Sequence, residues 1–586
     1  MAQQYDVVIR ETTIVDGSGR PAFKGSIGVR GERIAAVGDV AGKGGREIDG
    51  AGLVTCPGFV DPHSHADLFI LDRPYAENLV MQGITTFVGG NCGQSPAPLD
   101  DASQAGVSAQ QLKVDINVDW RTFGEWLSKV ETNGISPNYA PLVGHNTVRA
   151  AVMGADFKRE ATASEVESMK ALVHDSMRSG AFGLSSFFDP GPGEYAAVEE
   201  IVELAKVVGA YGGLYVPHTR HIQSQWPSDD PEEFGYGIYH GPLQDVWVGR
   251  YRGYVEAIEI SRQAQVPLHI AHLSTAYHIP QPHPAYLDEA AARATLEILD
   301  QAMGEGIDVT FDTIPCASGI AGPVPLISAV EGLGGHGKEG WVERLRTAAF
   351  REELQRVYDA GRLKLGMIHT KADPYWMDCF KIVRCKNRAY EGKTIGEIAT
   401  SRGANSLEAI VDILVQDPEA TWVQFLDRRM LPAAISVFLK HPVAMPCTDT
   451  TALLPAGAAQ GGESSRYGAA PILFGLYPHY IETYVRGRDR DGGGEGDGEG
   501  LGLEEAIRKA TWTPAQRFGL EGRGTLSPGA YADILLFDLE NVGMKGDFVR
   551  PAQAPEGIEC VMVNGQIVYE GLAHTGARPG KVIRRR

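Results

Sequence analysis

Two histidines spaced i and i+2 follow a short apolar segment in Pro57-Gly58-Phe59-Val60-Asp61-Pro62-His63-Ser64-His65. In an extended strand alternate side chains share a face, so His63 and His65 point the same way and can grip one metal ion from the strand's end. The 16 histidines of this 586-residue chain produce on the order of 0.4 such pairs by chance, so the context of the pair must carry the argument. Further metal-ligating types stand just after other apolar segments. Cys92 lies in Gly89-Gly90-Asn91-Cys92-Gly93, directly after Thr85-Thr86-Phe87-Val88; His218 follows Leu214-Tyr215-Val216-Pro217; His272 follows Leu268-His269-Ile270-Ala271. Imidazole and thiolate both suit Zn²⁺, and a site with an open coordination position lowers the pKa of bound water to about 7. Asp449, in Met445-Pro446-Cys447-Thr448-Asp449-Thr450, is the acid placed to take a proton from that water and pass it on to a leaving group. His145, in Val143-Gly144-His145-Asn146, reads equally as a substrate contact or a structural hydrogen-bonder.

These residues need a scaffold that brings the ends of several strands together. Strands are expected at Val54–Asp61, Thr85–Gly89, Ala140–Gly144, Gly183–Ser185, Leu214–His218, Leu268–His272, Asp308–Asp312 and Val443–Thr448, with helices such as Ser164–Arg178, Ala197–Gly209 and Pro284–Gly304 between several of them. That alternation argues for an α/β fold with a parallel sheet and crossover helices, and eight strands suggest a (β/α)8 TIM-like barrel, whose chemistry collects at the C-terminal strand ends. Residues three apart on a strand face opposite sides. Of His218 and His221 the choice therefore falls on His218, at the strand's end. Of His269 and His272 it falls on His272, which shares a face with Leu268 and Ile270; His221 and His269 become helix-facing, loop or supporting residues.

The two chain ends share another texture, short apolar segments broken by glycine-bearing turns, with Asn564-Gly565 marking a tight hairpin. Residues 1–56 and 525–586 are expected to pair into a small β-sandwich domain, and 57–524 to form the barrel. The barrel carries an elaboration at about 320–440 and a flexible Gly-rich loop at 487–500, whose almost pure Gly and charge cannot bury enough apolar surface to fold.

A net charge of −20 argues against nucleic acid or an anionic membrane as partner, since those attract clustered Lys and Arg. A small-molecule substrate is the expectation. The N-terminus lacks the basic start and apolar stretch of a secretory signal, and no segment is long and apolar enough to span a bilayer, so a cytoplasmic location is expected. Seven cysteines in a chain of this length do not resemble a disulfide framework.

The chain resembles the amidohydrolase superfamily, and within it the D-aminoacylase or N-acyl-D-amino-acid deacylase group. The likeness rests on Pro57 to His65, Gln82-Gly83-Ile84-Thr85-Thr86, Gly90-Asn91-Cys92-Gly93-Gln94-Ser95, Val143-Gly144-His145 with Arg149, Tyr215-Val216-Pro217-His218-Thr219-Arg220, Leu503 to Lys509, and the tail Thr575-Gly576-Ala577-Arg578-Pro579-Gly580-Lys581-Val582. It implies a zinc-dependent enzyme that cleaves a linear amide to carboxylate and amine and does not act on the peptide bonds of proteins. It further implies that Cys92, His218 and His272 hold the main zinc, that His63 and His65 belong to a second, often weaker position, and that Asp449 is the catalytic acid-base.

Three departures bear on the substrate. Where the group typically carries a lysine two residues after the sixth-strand histidine, this chain has Ser274; a tyrosine-rich Asp-x-Tyr-Pro-Tyr element appears as Asp312-Thr313-Ile314-Pro315-Cys316; and a His-Pro-Arg element appears as Ser464-Ser465-Arg466. The resemblance implies that the missing lysine and tyrosine bind the substrate's carboxylate. Their loss makes the pocket more apolar, with His145, Ser274 and Arg466 left as substrate-binding residues. N-acyl-D-amino acids and neutral fatty or aryl amides are thus both expected substrates. A cyclic-amide hydrolase fits less well, because such enzymes commonly use a carboxylated lysine where this chain offers Cys92. A catalytically dead barrel fits least, since every expected ligand and the acid are in place.

Overall fold

The computed structural model describes residues 3–100, 118–188, 191–220, 243–277, 279, 283–317, 321–323, 337–360, 363–365, 368–370, 375–424, 431–453, 470–487, 500–547 and 550–586. Arg466, His221 and nearly all of the Gly-rich 487–500 segment lie outside the described residues.

Eight short parallel strands form the central ring. In chain order they are Phe59–Asp61, Ile84–Gly89, Asn138–Pro141 continuing into Val143–Gly144, Gly183–Phe187, Leu214–His218, Leu268–Ile270, Val309–Thr313 and Ala444–Pro446. Each pairs in parallel with the next, and the third strand joins the two sheets by pairing with the second through one part and the fourth through the other. The ring closes where the first strand's exit meets the eighth's. There Ser64 and Thr450 form a parallel bridge, the Asp449 amide donates to the His63 carbonyl at 2.9 Å, and the His65 amide donates to the Thr450 carbonyl at 2.7 Å.

Side-chain alternation along these strands sorts two cores. Phe59, Phe87, Tyr139, Val143, Leu184, Tyr215, Leu268, Ile270 and Phe311 pack outward against the helices. Val60, Val88, Ala140, Leu142, Leu214, Val216 and Ala271 instead pack in the ring's interior with Ala515, Phe518 and Leu520, from the helix Trp512–Arg517 and the residues just after it. Each fully buried Val, Leu, Ile or Phe among them contributes roughly 1.5–3 kcal/mol. Helices Ala163–Arg178, Val198–Ala210, Leu243–Ala264 and Tyr286–Gly304 supply the crossovers. The first of them begins at a capping box in which Thr162 and Glu165 satisfy each other's backbone amides. Among the described residues no helix is long and apolar enough to cross a membrane.

The two ends of the chain share one nine-stranded sheet. Val54–Pro57 runs parallel to Gln3–Ile14 on one side and antiparallel to Ile534–Phe537 on the other. The sheet folds back on itself, since Ile34 exchanges backbone hydrogen bonds with Gly529 and Ala530, and Ile27, Val29 and Ile34 share one apolar core with Ile534, Leu536 and Met562. The hairpin at Asn564-Gly565 has positive φ at both residues, 46° and 79°, the conformation for which Asn-Gly is favoured.

Between the seventh and eighth strands, helices Gly337–Arg346, Ala348–Asp359, Ile395–Arg402 and Ser406–Gln416 surround a three-stranded antiparallel sheet. They bury a core of their own, with Trp376, Phe380, Ile410 and Trp422 inside it.

Candidate metal centre

The Cys92 loop leaves the second strand against the backbone of the third. A Cβ on Gly90 would lie 2.1 Å from the Leu142 carbonyl oxygen, and one on Gly144 would lie 2.3 Å from that of Gly93; only glycine permits this approach. Gly90, Cys92 and Gly93 all have positive φ. Ser185, fully buried on the fourth strand, pins the loop on both sides of Cys92, accepting from the Gly93 amide at 3.0 Å and donating to the Gly90 carbonyl. His272 and Asp449 also have positive φ, 35° and 50°. Such backbone is uncommon for non-glycine residues and gathers at functional sites.

Two groups of donor atoms result. Cys92 Sγ lies 3.6 Å from His218 Nδ1 and 3.4 Å from His272 Nε2, and the two nitrogens are 2.9 Å apart. Cys92 Sγ also lies 3.4 Å from His63 Nε2, while Asp449 Oδ1 is 3.4 Å from His63 Nε2 and 3.2 Å from His65 Nε2. Within each group all ligand atoms fall within 4.8 Å of one another, and Cys92 is common to both. Tetrahedral zinc with Zn–S near 2.3 Å and Zn–N near 2.0 Å separates sulfur from nitrogen by roughly 3.5 Å and two nitrogens by roughly 3.3 Å, so the first group fits such an ion.

Electrostatics agree. Burial alone would push the Cys92 thiol up, but His63 and His272 beside it outweigh burial and hold it well below the usual thiol range. Burial disfavours charge on His63, yet Cys92 and Asp312 raise it well above an ordinary imidazole. Burial also disfavours charge on His65, but Asp449 and Cys92 together raise it to about 10. Asp449 is held well below the carboxylate range, against burial, by His63 and His65. Ligating a metal requires His63 and His65 each to offer an unprotonated nitrogen, so metal uptake at this position couples to proton release.

The first and sixth strands depart from simple alternation. The first ends at Asp61, so His63 and His65 lie beyond it, and bends rather than a shared strand face turn their rings to the same oxygen of Asp449. The Asp61 side chain sits at this bend, accepting from the His63 amide at 3.4 Å and, across to the eighth strand, from the Thr448 amide at 3.0 Å and hydroxyl at 2.5 Å. The sixth strand ends at Ile270. Leu268 and Ile270 face the helices, so a shared face would have turned His272 away; its positive φ brings it to the centre instead. His269 points into the ring, its Nε2 2.8 Å from Asp312 Oδ2 and its Nδ1 2.7 Å from the Thr310 hydroxyl.

Of the residues expected at the substrate, His145 is fully buried at the start of the helix His145–Met153, with Nε2 2.7 Å from Glu200, which also pairs with the buried Arg149. That places it in a buried ionic cluster. Ser274 is nearly buried, its hydroxyl 3.3 Å from that of Tyr254, which donates to the Ser274 carbonyl at 2.8 Å. Asp312 and Ser185 were not singled out from the sequence; the signal for Asp312 was an acid at the end of an apolar strand opposite histidines.

A parallel eight-stranded ring with thiolate, imidazole and carboxylate donors gathered at its C-terminal strand ends defines a metal-dependent barrel hydrolase. The chain belongs to the amidohydrolase family, whose pattern matches residues 46–317 and 477–569; it is an enzyme acting on carbon–nitrogen amide bonds. It is similar to the D-aminoacylase of Alcaligenes xylosoxydans xylosoxydans, 29% identical over 100% of this chain and 98% of the relative. A D-aminoacylase structure described for its binuclear metal centre, with one-metal activation and second-metal attenuation, superposes with a TM-score of 0.67 at 28% identity, covering 99% of this chain and 100% of that one. The N-acyl-D-glutamate deacylase of Bordetella bronchiseptica, complexed with zinc and a phosphonate mimic of the tetrahedral intermediate, superposes with a TM-score of 0.69 at 25% identity and the same coverage.

Proposed function

We propose that this enzyme hydrolyses a linear N-acyl amide to a carboxylate and an amine, using zinc. Cys92, His218 and His272 hold the tight ion, and His63 and His65 form a second, weaker position. The observation that carries this reading is the convergence of Cys92 Sγ with His218 and His272 beside Asp449. When bound, zinc polarises the amide carbonyl and acidifies water. Asp449 then accepts the attacking water's proton at Oδ1 and returns it to the departing nitrogen as the carbon–nitrogen bond breaks. The ring of Phe187 packs edge-on against His218, with centroids 4.4 Å apart.

N-acyl-D-amino acids are the first substrate class, as the named relatives suggest. Neutral fatty or aryl amides are the second, favoured by the uncharged residues that stand where the resemblance expects a lysine and tyrosines: Ser274, whose hydroxyl is 3.3 Å from that of Tyr254, and Ile314 and the buried Cys316 just after the seventh strand. The test is a hydrolysis screen of N-acyl-D-amino acids, N-acyl-L-amino acids and neutral amides, before and after chelation and zinc restoration. Turnover that survives complete metal removal would refute the reading, and preference for neutral amides would select the second class.

A further inference from the structure

Asp312, at the end of the seventh barrel strand, is a fully buried carboxylate to which the proposed chemistry assigns no step. Its two oxygens serve different clients. Oδ1 accepts the backbone N–H of His272 at 2.7 Å, at the residue whose positive φ turns the imidazole toward Cys92. Oδ2 lies 2.8 Å from His269 Nε2 and 3.6 Å from His63 Nδ1. His63 presents its other nitrogen to Cys92 and Asp449.

We infer that Asp312 is a positioning residue shared by the two metal positions, with one oxygen for each. Through Oδ1 it fixes the turn that aims His272 into the Cys92 group. Through Oδ2, which lies within ion-pair rather than hydrogen-bond reach of His63 Nδ1, its negative charge favours the His63 proton on Nδ1 and leaves the Nε2 lone pair for a metal in the other group, as carboxylates behind metal-binding histidines do. His269 supports this second oxygen from below and is itself held by Thr310. The inference rests on the metal centre proposed above.

The separate duties make the two obvious variants behave differently. In Asp312→Asn the amide oxygen can still accept from His272, but the NH2 facing His63 is a donor where an acceptor is needed, so the imidazole proton moves to the nitrogen that faces the metal. Asp312→Ala removes both supports. The full-length enzyme, stripped of metal, is titrated with Co²⁺ by equilibrium dialysis while its visible spectrum is recorded. Asp312→Asn is expected to weaken the second binding step tenfold to a hundredfold and leave the first within threefold; Asp312→Ala is expected to weaken both steps by tenfold to a hundredfold, with an altered spectrum at the first. An Asp312→Ala enzyme that binds both ions like wild type overturns the proposal, as does an Asp312→Asn enzyme weakened at the first step as much as the alanine variant. Where Asp312→Ala does not fold, the nearly isosteric Asp312→Asn decides alone, and an unchanged second step overturns the proposal. A wild-type enzyme that takes up no Co²⁺ overturns the metal centre and this inference together, whereas normal uptake by wild type and variants overturns the inference alone.

Discussion

Replacing Asp449 by Asn separates proton transfer from scaffolding more cleanly than any other single change. Asn has nearly the same size, and together with Asp it tolerates positive φ better than other non-glycine residues, so the 50° backbone at this position is kept. Alanine would add roughly 1–2 kcal/mol of backbone cost in that conformation. In Asp449→Asn the new amide oxygen can still face His63 and His65, now at 3.4 and 3.2 Å from the carboxylate, but it cannot hold the water's proton. General acid–base catalysis contributes roughly 10²- to 10⁴-fold, so kcat should fall by that factor, about 3–5 kcal/mol of transition-state stabilisation. The assay is amine release at saturating substrate, with metal content matched to wild type by elemental analysis. A metal-replete Asp449→Asn enzyme that keeps more than about a tenth of wild-type kcat would sink the role given to Asp449.

Cys92→Ser should cost both metal positions, because its Sγ is the one atom common to the two donor groups; elemental analysis after dialysis should find less than one ion per chain, and retention of two would contradict the shared ligand. Gly90→Ala should destabilise the fold by more than about 2 kcal/mol, since the new Cβ meets the Leu142 carbonyl oxygen and φ is 81°; denaturant midpoints check this. His574 accepts the Gly576 amide at Nδ1 and sits 3.0 Å from the Ser136 hydroxyl at Nε2, and burial lowers its pKa to about 4. A histidine lowered from the unfolded value of about 6.5 stabilises the fold fully above that pH, and the contribution is lost as pH falls toward 4. Metal-free His574→Gln should therefore lose less stability than wild type between pH 6.5 and 4 in thermal melts, and parallel curves would exclude the effect.

The barrel was readable because its strands are short apolar runs ending in polar residues, and burial on both faces leaves little else that they can be. Residue types at strand ends likewise pointed to His218, His272 and Asp449 before any geometry was known, whereas Cys92 came forward as a ligand through the family resemblance. Side-chain direction was not readable by alternation. At His272 the positive φ, not the face shared by Leu268 and Ile270, turns the ring to the centre; His63 and His65 do face one donor group, but from beyond the strand's end at Asp61. His269 seemed the outward member of its pair for the same reason, yet it faces the interior. Ser185 escaped notice because a polar residue within an apolar strand has no spacing to advertise it, and Asp312, an acid at a strand's end, carried a signal that residue types alone do not separate from other strand-end acids; their partners, the Gly90 and Gly93 backbone and the His269, His272 and His63 groups, reveal their use.

The seam that closes the ring joins Ser64 to Thr450, 386 positions apart in the chain. His63, His65 and Asp449 meet only across that seam, so a nascent chain emerging from a ribosome holds all five metal-ligand candidates, His63, His65, Cys92, His218 and His272, long before its acid, Asp449, exists. Competence is then an all-or-none property of the finished barrel: a partly folded or truncated chain lacking the eighth strand can present the cysteine loop to metal but has no acid to work with it. Recovery of turnover during refolding should accordingly trail the recovery of helical signal, making activity a direct clock for the last long-range event in folding.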